Sequence, residues 1–133
     1  MTQESKKFKD FKAYFIIPEE PSSVYLALTT ESTAILWTGG NAQIDPKVDG
    51  SFSLWDGAIV GKFLELDPEN YTIVQEWYFG EQEEKSIVSI KLHEHKKGTS
   101  MEVRQSNIPL EDFDNITSGW TEEYAGGLID FYS

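Results

Sequence analysis

The chain has 133 residues, a formal charge of -12 and no cysteine. One domain of this length buries roughly two-thirds of its unfolded surface, its charge opposes phosphate backbones and anionic bilayers, and without thiols it has no disulfide, thiolate nucleophile or cysteine-ligated zinc. A single domain over residues 1–133 is therefore expected, with no nucleic-acid or membrane partner; the N-terminus lacks an apolar signal-like region, so the expected location is cytoplasmic. Aromatic residues make up 14% of the chain, enough that large rings must meet each other or enclose something. Lys6, Lys7, Lys9 and Lys12 form the one basic cluster and read as a solvated edge.

Phe11, Ala13, Phe15 and Ile17 alternate with Lys12, Tyr14 and Ile16, which predicts a strand with one buried face, ended by Pro18 and Pro21. A first short helix follows, capped by Ser22 or Ser23, with Val24, Ala27 and Leu28 on one side. A second starts at Thr30 and carries Ala34, Ile35 and Trp37 before Gly39-Gly40 stops it. From Asp45 onward turn signals recur at Pro46 to Gly50, Asp56-Gly57, Pro68 to Asn70, Gly80 to Glu84, Lys97-Gly98 and Pro109, which predicts an antiparallel meander.

Within the meander, Asp56-Gly57 suits a tight hairpin turn. Gly61 weakens the next strand unless another segment approaches closely, the sheet bends, or a β-bulge lies there. That strand has ambiguous faces, since Lys62 lies on one parity and Glu65 on the other, with Ile59, Gly61 and Phe63 favoured inside. Phe52 and Leu54, then Ile73, Gln75, Trp77 and Phe79, then Val88, Ile90 and Leu92, then Thr99, Met101, Val103 and Gln105 form the covered faces. Phe113, Ile116, Trp120, Tyr124, Leu128 and Phe131 recur at spacings of three and four, the stripe of one long helix that covers the sheet. Gly127 sits on that stripe, where a missing side chain would leave a gap between helix and sheet.

The stretches "DGSFSLWDGAIVGKFLELDPENYTIVQEW", "GTSMEVRQSNIP" and "GWTEEYAGGLIDF" resemble the pattern of the activator of Hsp90 ATPase homologue-like family, within the START and birch-pollen-allergen superfamily, over about residues 11–132. The resemblance implies an α+β helix-grip fold: a curved antiparallel six-stranded sheet wrapped around a long C-terminal helix, with two short helices after the first strand, often over a hydrophobic cavity. It also implies that Gly61 lies on a bent strand facing the helix. The full Hsp90 activator resembles this chain only in its C-terminal domain, which implies at most a reduced chaperone-binding role.

For function, the expectation is a non-catalytic domain that holds a hydrophobic or aromatic small molecule between sheet and helix. The candidate lining residues are Trp37, Phe52, Phe63, Trp77, Ile90, Met101, Trp120, Tyr124, Gly127 and Leu128. Association with an Hsp90-type chaperone is the alternative, and a cyclase-like enzyme shaping its substrate by cavity form is the third reading. Ser-His-Asp, P-loop and dinucleotide motifs do not occur, and no cofactor is expected. His93 and His95 share a strand face with Lys91 but have no third ligand nearby, so they read as a solvated strand end and no metal is expected. Glu65, before Pro68, reads as an exposed strand-end glutamate rather than a cavity base.

Overall fold

The computed structural model describes residues 8–78 and 85–133. Lys6, Lys7, Phe79 and the turn expected over Gly80 to Glu84 lie outside the described residues. Strand β1 (Phe8–Ile17) leads into helices α1 (Pro21–Thr29) and α2 (Glu31–Thr38), followed by β2 (Gln43–Ile44), β3 (Ser51–Leu54), β4 (Ile59–Asp67), β5 (Thr72–Trp77), β6 (Ser86–His95) and β7 (Gly98–Pro109). The chain closes in a helical run: a short turn at Leu110–Asp112, α3 (Phe113–Gly119), a π-helical stretch at Trp120–Ala125, and α4 (Gly126–Phe131). The strands form one curved antiparallel sheet in the order β1-β7-β6-β5-β4-β3-β2. The sheet thus has seven strands where six are expected. The addition is β2, whose two residues pair with Ser53 and Phe52 and are too few to show a period in the sequence. No helix among the described residues is long and apolar enough to cross a membrane.

Local chemistry accounts for the helix ends. Helix α1 begins at Pro21, whose fixed φ and missing N–H suit a first helical position. No side chain caps its backbone, and Ser22 instead donates its hydroxyl to Glu20, so neither Ser22 nor Ser23 is the cap expected. Helix α2 ends as expected at Gly39, which adopts the left-handed conformation at φ 73°.

Burial follows the alternation along the strands. Phe52, Leu54, Ile73, Trp77, Ile90, Val103 and Trp120 are all buried. Phe11 and Phe15 are only half-buried, because β1 is the outer strand of the sheet on that side; Phe11 packs its ring edge against Phe113 at 6.5 Å. The parity conflict in β4 has a simple cause. Register with β5 shifts by one residue between Phe63 and Glu65, so the strand bulges at Leu64. Lys62 before the bulge and Glu65 after it therefore both turn away from the core, while Phe63 and Leu66 turn towards it. Gly61 is not the bulge. It pairs with Trp77, and a β-carbon there would overlap the Glu76 carbonyl oxygen and sit 3.0 Å from the Phe52 ring. Close backbone approach by the neighbouring strand is what excludes a side chain at Gly61.

The convex face carries a buried charge. Glu102 is only 7% exposed although it points away from the core. Its carboxylate lies 2.8 Å from His93 Nε2 and accepts from Arg104 Nε at 2.7 Å. Hydrogen bonds from His93 and then Arg104 hold the Glu102 carboxyl below the ordinary glutamate value, against the opposing effect of burial. A depressed folded-state pKa stabilises the fold above the unfolded value and stops doing so as pH falls through the folded value. Urea midpoints measured at stepped pH should therefore separate wild type from Glu102→Gln above about pH 4.3, and the separation should shrink on further acidification.

Candidate functional site

The C-terminal helix places Ile116, Trp120, Tyr124 and Leu128 at a strict spacing of four. In a regular α-helix each such step drifts by about 40°, given 3.6 residues per turn. The π-helical stretch over Trp120–Ala125 widens the turn where Trp120 and Tyr124 lie and offsets that drift. Trp120, Tyr124 and Leu128 are accordingly all buried, whereas Phe131, expected on the same stripe, is 38% exposed.

On the sheet side, Trp77 stacks on Trp120 with ring centroids 5.2 Å apart and planes 16° from parallel. Each indole N–H has its own glutamine. Trp77 donates to Gln75 Oε1 at 2.9 Å, and Trp120 donates to Gln105 Oε1 at 2.8 Å. Gln105 in turn donates to Ser86 Oγ, which donates to the Ser106 carbonyl. Gln75 and Gln105 are both buried, so their presence on covered faces answers the need of a buried indole for an acceptor.

The β3–β4 hairpin supplies the opposite wall. Leu54 pairs with Ile59, leaving Trp55 to Ala58 as the loop, and Asp56 and Gly57 take the positive φ values expected of them, 56° and 92°. Trp55 also has a positive φ of 51°, a conformation that costs a bulky residue about 1–3 kcal/mol. Two contacts hold it there: Trp55 Nε1 donates to the Thr38 carbonyl at 3.0 Å, and the Asp56 N–H donates to the Asn41 carbonyl at 3.0 Å. The Trp55 ring meets Trp37 at 5.7 Å and Tyr124 at 6.0 Å.

Between hairpin and helix lies a cleft of about 410 Å³, lined by Trp55, Ala58, Ile59 and Trp77 from the sheet and by Asn115, Ile116, Gly119, Trp120, Glu123 and Tyr124 from the helix. Three of the ten expected lining residues, Trp77, Trp120 and Tyr124, come together here. Phe52, Phe63, Ile90, Met101 and Leu128 are instead packed in the core, and do not line this cleft. Trp37 is packed there too, its N–H donated to the Ala27 carbonyl at 2.7 Å. Burial pushes the Tyr124 phenol far above its ordinary pKa, so it is neutral, and its hydroxyl makes no hydrogen bond among the described residues. His93 and His95 lie on the far strand surface, and no group of three or more His, Asp or Glu suited to a metal occurs among the described residues.

Sequence reasoning missed Trp55, Ala58, Ile59, Asn115, Ile116, Gly119 and Glu123 as wall residues. The signal for Trp55 was its place beside Asp56-Gly57, at the tip of a hairpin. Gly127 needs a correction. It does not open a gap between helix and sheet, because α2 comes against it: a β-carbon at Gly127 would lie 2.9 Å from the Trp37 carbonyl oxygen and 3.4 Å from the Trp37 ring. Of the three glycines in the C-terminal helical run, Gly119 is the one with space beside it, for a β-carbon there would meet only the Glu123 carboxylate, at 3.6 Å.

A curved antiparallel sheet gripping a C-terminal helix, with an aromatic cleft at one end, defines a helix-grip domain. More narrowly, residues 19–128 match the model of the Activator of Hsp90 ATPase homolog 1-like protein family, and the chain belongs to that family. It is 27% identical over 110 residues to the human Activator of 90 kDa heat shock protein ATPase homolog 1, covering 81% of this chain and 32% of that protein. The chain thus spans about a third of the length of that curated relative. Among solved structures it is similar to an HSP90 activator from Plasmodium falciparum, with a TM-score of 0.80 and 25% identity over 90% of this chain and 92% of that one. Ara h 8.0201 shares the fold at a TM-score of 0.74 and 12% identity, over 95% of this chain and 98% of that one.

The close contact at Gly127 makes a direct test. Gly127→Leu gains about 1 kcal/mol of helix propensity but forces a side chain against Trp37, an overpacking that costs about 1–3 kcal/mol. A thermal melt should show a lower midpoint than wild type despite the propensity gain.

Proposed function

We propose that this protein is a binding domain that takes an apolar or aromatic small molecule into the cleft between the β3–β4 hairpin and the C-terminal helix, without catalysing a reaction. The observation that carries the reading is an open, aromatic-walled space of about 410 Å³, within the roughly 300–1,000 Å³ typical of small-molecule sites. Its walls are held in place independently of any ligand, because the N–H groups of Trp55, Trp77 and Trp120 already have acceptors in the protein. Such a preformed site loses little ordering entropy when it is filled. Trp37, Phe52, Phe63, Ile90, Met101 and Leu128 then support the cleft from behind, and Trp77, Trp120 and Tyr124 touch what enters it.

Association with an Hsp90-type chaperone is a second reading. It is favoured by the likeness to the HSP90 activator from Plasmodium falciparum over nearly the whole of both chains. That partner would meet the outer surface rather than the cleft, and the two roles are separable by experiment.

Gly119 gives the decisive variant for the first reading. Since its position faces open space, Gly119→Leu should fill the cleft while gaining about 1 kcal/mol of helix propensity. The variant should melt no lower than wild type and should lose uptake of the neutral fluorescent probe N-phenyl-1-naphthylamine; retained uptake in the folded variant counts against the cleft. Calorimetric titration of the wild-type domain with Hsp90 addresses the second reading. Heat saturating at tens of micromolar or below, unchanged in Gly119→Leu, assigns the chaperone contact to another surface, and an absence of heat removes it as a strong interaction.

A further inference from the structure

Resting on the reading of the cleft as a small-molecule site, we propose that its ligands are organic cations, aromatic or quaternary ammonium compounds, rather than neutral lipids or carboxylic acids. The argument turns on which polar groups the cleft leaves unused. Trp55, Trp77 and Trp120 have all committed their N–H groups to the protein, to the Thr38 carbonyl, Gln75 and Gln105 respectively. Trp77 and Trp120 are stacked on each other and buried, so the half-buried Trp55 offers most of the indole surface open to a ligand, and the negative quadrupole of such a ring attracts cations, Trp more strongly than Tyr or Phe.

No lysine, arginine or histidine lines the cleft, so nothing there neutralises an anion. The one charged wall residue is Glu123, which has no ion pair or hydrogen bond among the described residues. Its carboxylate extends back along the helix to within 3.6 Å of where a Gly119 β-carbon would stand, on the wall of the cleft itself. Tyr124, neutral and without a hydrogen-bond partner among the described residues, adds an oxygen and no charge. The chain as a whole carries a formal charge of -12, which concentrates cations near its surface and repels organic acids. An aromatic wall, an uncommitted carboxylate at its side and a net negative chain together match a cation with an apolar body.

The test uses two molecules of the same shape. Trimethylphenylammonium and tert-butylbenzene differ by a nitrogen for a carbon and by one positive charge. Both are titrated into the protein while tryptophan fluorescence is followed, since three of its four tryptophans line the cleft. The cation should bind at least about tenfold more tightly than the hydrocarbon at low salt, and Glu123→Gln should reduce that ratio several-fold. Gly119→Leu should abolish the response to both. Equal affinity for the two, or a ratio that Glu123→Gln does not change, overturns the cation assignment and leaves the cleft as a site for neutral molecules. No saturable response to either molecule in wild-type protein overturns the small-molecule reading as well.

Discussion

One stacked pair of indoles ties the C-terminal helix to the sheet, and much of the remaining architecture depends on it. Trp77 comes from β5 and Trp120 from the helix, and they lie nearly parallel at 5.2 Å. An aromatic pair of this kind contributes about 0.5–1.5 kcal/mol beyond its burial. The larger constraint is polar. A buried N–H without an acceptor costs about 1–3 kcal/mol, and the chain meets that need twice over, with Gln75 on the same strand as Trp77 and Gln105 on β7 beneath Trp120. Because Gln105 sits at a fixed register position of β7, opposite Val88, its bond to Trp120 sets where along the sheet the helix docks, while the Gln75 bond, made within β5, orients Trp77 for the stack.

The cleft follows from that docking. With Trp120 fixed against Trp77, Tyr124 is carried to within 4.3 Å of Trp120 and 5.0 Å of Trp37, and Trp37 meets Trp55 from the hairpin. The rings make a chain from the sheet through the helix to α2 and back to the hairpin loop. A left-handed Trp55 is costly in isolation, but its N–H bond to Thr38 and its ring contacts make that conformation part of the wall. Packing and site are thus made of the same side chains: the faces of these rings that meet each other stabilise the fold, and the parts left uncovered line the cleft.

Family membership locates the domain among Hsp90-activator-like proteins, while the cleft is built from this chain's own aromatic side chains. These are compatible. The curved sheet offers its concave side to the helix and cleft, whereas the convex side carries the Glu102, His93 and Arg104 cluster. Fold likeness alone does not select between a role for the cleft and a role for the outer surface.

The strand faces, the Asp56-Gly57 turn, the stop of α2 at Gly39 and most of the helix stripe were legible in the sequence, because each depends on a period or a φ preference set within a few residues. Even the conflict between Lys62 and Glu65 was visible as a conflict, although the bulge at Leu64 that resolves it appears only when β4 is laid against β5. The glycines mark the limit. Gly61, Gly119 and Gly127 all interrupt regular elements, and nothing nearby in the chain distinguishes their tasks. Gly61 makes way for the carbonyl of Glu76, Gly127 for that of Trp37, and Gly119 for nothing but the edge of Glu123. Sequence by itself determined where bulk is missing. Only the tertiary structure decided whether a distant backbone fills the space or leaves it open, since that depends on which segments far along the chain come to lie beside it.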